Sequence, residues 1–389
     1  MKRQLKAAVI TAMSVMTPFA STADKLEAKP IGVLHMDAAT YMGNLHSEFT
    51  TGVALPEIRI GADAKYGDWK VRILVGFANN KVSAKDVYVQ YNLDSRNYFR
   101  AGHFVHQYGY QNSTAAYDKP TMIAPGPETV FNAPQRLGIG YVHADSIFMA
   151  TASVYTPDDM LNNALGSGKG KISRQSLGLK SRLAYHPFID SDKLIGQIGV
   201  SGLFETPRSD VEKENFEYKD YFGFSLPFPT KVNSETVDNV SLSGCRNRWQ
   251  ISPDLLLSHG RVALESQYYY TRVNMLYGAE HYYAQGFYVN ARGILIGDNY
   301  GFASSVAGLA TPKPGSLEAI LTYDYTDIAQ RNLGLKSRPV HNMALVLNYY
   351  INKYLTARLY GGCTHIPAEE FISPSKNLGV IQGRLQVIF

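Results

Sequence analysis

Apolar and polar side chains alternate along most of this chain. In residues 57–65, for example, Ile58 and Ile60 lie on one face, whereas Glu57 and Arg59 lie on the other. A period of two is that of a β-strand, not of a helix, so the sequence predicts an all-β fold. We identify about 18 candidate strands, over residues 31–40, 57–65, 69–77, 83–92, 97–105, 136–143, 146–155, 174–185, 194–205, 219–229, 238–246, 247–257, 261–271, 281–296, 315–327, 340–350, 354–363 and 377–389.

Two all-β architectures produce this alternation, a soluble sandwich and a transmembrane antiparallel β-barrel. A sandwich has one dry core and turns its polar faces to bulk water. Here the polar faces carry Gly, Tyr, Gln and charges of both signs, and the apolar faces are short, which suits a polar lumen and a lipid belt. Since bacterial single-chain barrels close with an even strand number, we predict about 16 strands, with 18 possible, and region 208–246 is the least certain.

Residues 1–23 have the three parts of an export signal. A basic start is followed by an apolar stretch over residues 7–17 and by small residues up to Ala23. The apolar stretch is too short to cross a bilayer as a helix, and a buried N-terminal helix is the weaker alternative. We therefore predict cleavage after Ala23, which leaves residues 24–389 as a single outer-membrane barrel domain.

The chain ends on an aromatic residue. Leu385, Val387 and Phe389 share one face of the last candidate strand, and Arg384 and Gln386 share the other. Many outer-membrane barrels end in this way, and the barrel-assembly machinery reads the terminal aromatic residue. We therefore predict that Phe389 is the assembly signal, that this machinery is a partner, and that the protein resides in the bacterial outer membrane among its lipids.

Composition excludes two other classes of protein. The predicted signal contains three of the 38 basic residues, so the mature chain has 35 bases against 33 acids, and the basic balance does not indicate nucleic-acid binding. No run of 18 apolar residues follows the signal, which excludes a helical membrane protein. The 27 tyrosines instead favour a barrel with aromatic girdles.

The sequence offers little enzyme chemistry. Gly166-Ser167-Gly168-Lys169-Gly170 resembles a phosphate loop, but the first glycine of that motif would be Asn163, so we interpret it as a turn. Ser258-His259 has no evident partner acid, and a hydrolase is the weakest alternative. Cys245 and Cys363 form no metal motif, although a disulfide between them stays open. We predict no enzyme, no cofactor and no metal.

Short motifs occur in a fixed order along the mature chain. They are Lys85-Asp86-Val87-Tyr88, Arg100-Ala101-Gly102-His103-Phe104, Gly286-Phe287-Tyr288-Val289, Ile294-Leu295-Ile296-Gly297-Asp298 with Tyr300, Pro314-Gly315-Ser316-Leu317-Glu318-Ala319 with Tyr323, Leu347-Asn348-Tyr349-Tyr350 and Leu385-Gln386-Val387-Ile388-Phe389. In type and spacing they resemble K-D-A-Y, R-V-G-Q-F, G-[YF]-Y-V, L-T-G-E…Y, P-G-A-W-E-[LA]…Y, L-N-W-Y and the closing strand of the phosphate-selective porin O/P family.

That resemblance implies a homotrimer of 16-stranded barrels with short periplasmic turns, long outer loops and a third loop folded inward. The matching loop here is about 106–135, the longest strandless stretch between two early strands. The family's anion selectivity rests on lumen rows of arginine and lysine, and this chain departs from that pattern. At the position of the family's paired arginines it has Glu57-Ile58-Arg59, which keeps one arginine beside a carboxylate.

Strand parity supplies candidates for a charged pore wall. Arg59, Lys70, Arg72 and Arg100 fall on early neighbouring strands near the inward loop, and we predict that they contact anions. Further candidates are Arg174, Lys180 and Arg182 by the same parity, and Lys119 on the inward loop. The alternative is that these bases pair with acids across the wall and only solvate the lumen.

The sequence thus predicts an outer-membrane porin that passes small polar or anionic solutes, with phosphate as one candidate, and with a mild preference for anions. The alternative is a plugged barrel that has a structural, adhesive or receptor role through its outer loops. Loop 106–135 separates the two, because a narrowing loop leaves a conducting pore and a plug blocks it.

Overall fold

A computed structural model of the chain describes most of its residues. The predicted cleavage site after Ala23 and the turn at 166–170 lie outside the described part. The described residues are 25–78, 81–114, 117–132, 135–165, 173–174, 176–190, 192–211, 218–330, 338–368 and 374–389.

Sixteen strands of the described residues form one closed antiparallel barrel. Each strand pairs with the next along the barrel, and the last pairs with the first. This confirms the predicted transmembrane β-barrel and selects 16 strands over 18. The strands are β1 (Glu27–Met42), β2 (Gly52–Tyr66), β3 (Trp69–Gly76), β4 (Ser83–Asn92), β5 (Asn97–Phe104), β6 (Arg136–Ala144), β7 (Phe148–Tyr155), β8 (Gly178–Asp190), β9 (Leu194–Glu205), β10 (Cys245–His259), β11 (Val262–Met275), β12 (Tyr282–Ile296), β13 (Leu317–Asp327), β14 (Val340–Tyr350), β15 (Leu355–Ile366) and β16 (Lys376–Ile388).

The chain end closes the barrel. The Gly32 amide donates to the Phe389 carbonyl at 2.8 Å, and the Phe389 amide donates to the Gly32 carbonyl at 3.1 Å. The Phe389 ring lies over Gly32, where a Cβ would collide with it. Closure leaves no unpaired strand edge, which is the condition for placing a sheet in a bilayer.

The two faces of the wall follow the alternation in the sequence. Large apolar side chains such as Leu183 and Ile198 are exposed on the outside, where they contact lipid. Charged and amide side chains such as Arg182 and Gln197 are buried on the inside. No described helix is long and apolar enough to cross a membrane.

Connections differ in length between the two ends of the barrel. At the end of the barrel where β1 begins and β16 ends, most turns are short, such as that between Tyr66 and Trp69. We call this the short-turn end, and the opposite end the long-loop end. One connection at the short-turn end is an exception, because residues 297–316 join β12 to β13. We call residues 297–316 the re-entrant segment.

Two of the candidate strands were wrongly predicted to lie in the barrel wall. Predicted strands 219–229 and 238–246 form a hairpin, Tyr218–Pro227 paired with Thr236–Ser243, which belongs to a separate small sheet. We call residues 218–243 the lumen hairpin. The prediction failed because a hairpin that packs one face against an apolar loop shows the same alternation as a strand that faces lipid.

The lumen hairpin crosses the barrel interior. Phe224 and Leu226 pack in the main apolar cluster with Phe131 and Tyr269, which come from the third loop and the wall. At the tip, Thr230 is bonded to the Tyr41 hydroxyl at 2.8 Å and donates to Gln382 Oε1 at 3.0 Å. The hairpin therefore leaves the β9–β10 side of the barrel and ends on the β1–β16 wall.

Candidate pore and its charged wall

The third loop, predicted at about 106–135, folds into the lumen over its described residues 105–114 and 117–132, and basic wall residues hold it there. Arg358 donates to the carbonyl oxygens of Lys119 at 2.8 Å and Tyr117 at 3.1 Å. Arg384 donates to the Met122 carbonyl at 3.0 Å. These bonds satisfy loop carbonyls that would otherwise be buried without donors.

The other side of the loop is bonded to the opposite wall. The Gly109 amide donates to Ser201 Oγ at 2.8 Å, and the Tyr110 amide donates to Gln267 Oε1 at 3.0 Å. Gly109 has φ +69°, and a Cβ there would collide with the Gln267 side chain. The close approach therefore requires glycine, and the loop spans the lumen from one wall to the other.

The re-entrant segment supports the third loop from the short-turn end. The Leu309 amide donates to the Tyr110 hydroxyl at 3.0 Å. Arg182 donates to the Val306 carbonyl at 3.0 Å and to the Ser113 hydroxyl at 3.0 Å. One arginine thus ties the third loop and the re-entrant segment to β8.

The space left open is a cavity of about 640 Å³ between the β2–β5 wall, the third loop and the re-entrant segment. Tyrosines and amides, such as Tyr88, Tyr98 and Gln107, supply much of its surface. Eight charged side chains line it, of which six are basic and two acidic: Arg59, Lys70, Arg72, Lys85, Arg100, Lys119, Asp86 and Asp118. Five of the eight predicted anion-contact residues therefore meet in one place.

Lys180 and Arg182, two of the other three predicted residues, do not line this cavity. Lys180 is buried, with its ammonium 5.2 Å from the centre of the Tyr155 ring. Arg182 is buried and lies 3.3 Å from Asp254. Arg174 belongs to a two-residue strand, and its side chain lies outside the described part.

Most cavity bases have an acid beside them. Arg59 makes two hydrogen bonds of 2.8 Å to Glu57, and Arg72 makes two of 2.6 and 2.7 Å to Asp63. Lys119 lies 2.9 Å from Glu128. Glu57, Asp63 and Glu128 do not themselves line the cavity, so of each pair only the base reaches it. Including the three acids, six bases face five carboxylates, and the local excess of positive charge is small.

Arg100 is the exception among the arginines. No carboxylate of the described residues lies within ion-pair distance of it; it donates to Gln90 Oε1 at 2.7 and 3.2 Å. Its guanidinium lies 4.2 Å from the centre of the Tyr88 ring and 5.2 Å from that of Tyr98. Ring faces stabilise a cation without neutralising it, so Arg100 contributes its full charge to the cavity.

We expect the Arg100→Gln variant to lower the anion-to-cation permeability ratio by about twofold, because it removes a charge that no acid balances. The Glu57→Gln, Arg59→Gln double variant is the matched control, since it removes a base together with its acid. Reversal potentials in a low-salt gradient compare the two proteins. A larger shift in the double variant than in Arg100→Gln would contradict this assignment of charge.

Protonation affects the loop side of the cavity. Burial raises the pKa of the Asp118 carboxyl above its usual range, although the charge of Arg358 acts in the opposite direction. Burial also raises the pKa of the Tyr117 hydroxyl. Asp118 therefore accepts a proton more readily than an ordinary aspartate, which weakens the acidic contribution of the loop.

Strand parity missed Lys85. By the period of two, Asp86 and not Lys85 would face the lumen. However, Ile73 pairs with Val87 and Val75 pairs with Ala84, so Lys85 and Asp86 both lie opposite Leu74 on β3. Such a bulge interrupts the period of two, and both side chains reach the cavity. Asp118, on a loop without a strand period, was also missed.

Groups suspected of chemistry at the sequence level have structural contacts instead. The Ser258 hydroxyl donates to the Val262 carbonyl at 3.1 Å, and His259 Nδ1 contacts the Lys193 carbonyl. Both contacts hold turns at the short-turn end. Cys245 and Cys363 are free thiols, the first buried and the second exposed.

Comparison with known proteins places this geometry in context. A family model described as phosphate-selective porin O and P matches residues 34–360. No curated protein sequence matches the chain significantly. An anion-selective porin from Comamonas acidovorans has a similar structure at 12% identity and TM-score 0.55, with 94% of this chain and 100% of that one covered.

Two further solved structures share the fold. The trimer form of OmpT, an outer membrane protein of Vibrio cholerae, superposes with TM-score 0.55 at 10% identity and covers 94% of this chain and 99% of its own. The outer membrane channel DcaP of Acinetobacter baumannii gives TM-score 0.54 at 13% identity, with 96% and 100% covered. At such identities these likenesses establish the fold.

Proposed function

We propose, from the premise that this chain belongs to the phosphate-selective porin O and P family, that solutes pass through the cavity along β2–β5. The protein is a porin of the outer membrane, so its short-turn end faces the periplasm. Passage is passive diffusion of small polar or anionic solutes through water, with a mild preference for anions. The fold and family are those of a channel, and we propose that the chain has no catalytic activity.

The observation that supports this proposal is the arrangement of charge around the cavity. Six basic and two acidic side chains line the open space, and three further acids pair with the bases. A basic wall raises the local concentration of anions and repels cations. The preference is mild because the neighbouring acids cancel most of the field of these bases. Salt weakens the field further, since the Debye length is about 8–10 Å at ordinary salt.

Phosphate is one candidate solute, but a tight phosphate path is not part of the proposal. A guanidinium recognises phosphate well when its donors are free to form a fork on the oxyanion. Arg59 and Arg72 direct such forks at Glu57 and Asp63. Phosphate therefore has to compete with carboxylates already in place, and we expect it to pass without strong retention.

The test is a Gln variant at Arg59, Lys70, Arg72 and Arg100 together. Its reversal potential in a salt gradient should shift from mild anion preference to cation preference, because Glu57 and Asp63 lose their arginine partners. Conductance should stay within about threefold, since the cavity keeps its width. The matched control replaces four exposed bases at the short-turn end with Gln: Arg96, Lys193, Lys313 and Lys353. If the cavity variant keeps wild-type selectivity at low salt, these bases do not set it.

A plugged barrel is the second candidate function, and the lumen hairpin favours it. Together with the third loop, the hairpin fills the lumen between the β9–β10 side and the β1–β16 wall. A structural or adhesive role would then depend on the outer loops alone. Planar-bilayer recording separates the two functions, since a plugged barrel gives no channel steps.

We also propose that the protein assembles as a homotrimer, as the trimer form of OmpT does. The expected mass in mild detergent is that of three barrels plus bound detergent. Light scattering with a concentration measurement gives this mass directly. A single barrel at all concentrations tested would contradict the proposal.

The barrel-assembly machinery, which we propose reads Phe389, is the other protein partner.

A further inference from the structure

A row of small side chains interrupts the outer face of the barrel. Ala152 on β7, Ser181 on β8 and Gly202 on β9 are cross-strand partners, so they lie side by side. Neighbouring strands are about 4.8 Å apart, so three small residues in register leave a trough about 14 Å wide. We call this depression the outer groove.

Aromatic pairs form the two rims of the outer groove. Phe99 and Tyr141 lie on one side with ring centres 5.1 Å apart, and Phe204 and Trp249 lie on the other with ring centres 4.6 Å apart. The space between them has a volume of about 1350 Å³ and an almost wholly apolar lining. Since the groove is on the lipid side of the wall, it receives apolar chains from the bilayer.

The groove has one polar end. Arg272, the cross-strand partner of Trp249, lines it together with Asn274. The guanidinium donates to Asn274 Oδ1 at 2.9 Å, and Asn274 donates in turn to Asn247 at 2.6 Å. No carboxylate of the described residues lies within ion-pair distance of Arg272, and none lines the groove.

The polar end lies at the level of the outer-leaflet headgroups. Arg272 is three residues from the end of β11 at the long-loop end, which faces away from the periplasm. Arg246 is exposed near it, at a bulge where β10 begins beside the last residues of β11. A guanidinium at the end of an apolar trough, with a second exposed arginine at the adjacent strand end, matches a lipid with a phosphorylated headgroup.

We propose that the outer groove binds a phosphorylated glycolipid of the outer leaflet. Its acyl chains lie over Ala152, Ser181 and Gly202, and a headgroup phosphate accepts hydrogen bonds from Arg272 and Arg246. A second copy of the chain is the other possible occupant. The lipid is favoured because the cationic end faces a leaflet whose headgroups carry the opposite charge.

The first test replaces Arg246 and Arg272 together with Gln. The full protein is reconstituted in phosphatidylethanolamine nanodiscs, titrated with bisphosphorylated hexaacyl lipid A and analysed by native mass spectrometry. Retention of the lipid should fall about tenfold, because two cations near the anionic headgroup are lost. Arg96→Gln, an exposed arginine at the short-turn end, should retain the lipid as the wild type does.

The second test fills the groove without changing charge. Gly202→Phe should reduce lipid retention to a similar extent. Gly361→Phe is the matched control, because Gly361 is exposed on the outer face of β15 and nothing lies within 4 Å of a Cβ built there. Single-channel conductance should be unchanged in all four variants, which shows that each barrel has folded.

Two outcomes overturn the proposal. One is wild-type lipid retention in both the double arginine variant and Gly202→Phe. The other is loss of the trimer in these variants with an unchanged number of lipids per barrel, which assigns the groove to a second copy of the chain.

Discussion

Replacement of residues 208–243 by a short turn should raise single-channel conductance at least about twofold, because conductance follows the open cross-section of a water-filled pore. The lumen hairpin lies within these residues. It spans the lumen as far as the wall residue Gln382, to which its Thr230 donates a hydrogen bond. Glu205 and Arg248 are cross-strand partners, so a short turn can join β9 to β10 without strain on the wall. Recording in planar bilayers measures the change directly.

The matched control removes a loop that stays outside the lumen. Residues 276–281 join β11 to β12, and Tyr277 is 99% exposed. Shortening this loop should leave conductance unchanged. Heat-modifiable migration on gels shows whether each variant has a folded barrel. An unchanged conductance in a folded variant without the lumen hairpin would show that the hairpin does not limit the path.

Phe389→Asp should remove most of the folded barrel from the outer membrane of expressing cells. Phe389 is half-exposed on the outer face, and its backbone forms the last two hydrogen bonds of the closing strand. A carboxylate on the lipid side costs free energy, less at the girdle than near the midplane. The folded fraction is measured by heat-modifiable migration, with Phe389→Tyr as the aromatic control. Normal assembly of Phe389→Asp in cells would contradict the prediction.

Refolding into detergent separates two causes of that loss. Purified Phe389→Asp should refold to a yield close to that of Phe389→Tyr, because detergent refolding needs no assembly machinery. Equal failure in detergent and in cells would instead place the defect in barrel closure at Gly32.

The wall of the barrel was predictable from the sequence because it depends on local pattern. Each wall strand turns one face to lipid and one to the lumen, so the period of two locates it without knowledge of its neighbours. The lumen hairpin was not predictable in this way. Its partners Phe131 and Tyr269 are far away in sequence, and only the folded chain brings them to Phe224.

The same distinction applies to the candidate site. Parity placed Lys70, Arg72 and Arg100 on the lumen face, and all three line the cavity. It placed Lys180 and Arg182 on that face as well, but other chain segments fill the lumen around them. Which part of a lumen stays open depends on its loops, whose positions strand parity does not determine.

The pairing of charges could be predicted from the sequence only in part. Glu57 and Arg59 lie two residues apart on one strand, so their contact could be expected. Asp63 and Arg72 lie on different strands and meet because their register makes them cross-strand partners. Register within a barrel follows from the shear of the whole closed sheet, which single strands do not encode.

The reversal potential of the wild-type protein in a tenfold KCl gradient tests the central claim most directly. We expect channel steps, a reversal potential displaced toward the chloride equilibrium potential at low salt, and a smaller displacement when both solutions are made more concentrated. Absence of channel steps, or a displacement toward the potassium equilibrium potential, would contradict a mildly anion-preferring pore along the β2–β5 wall.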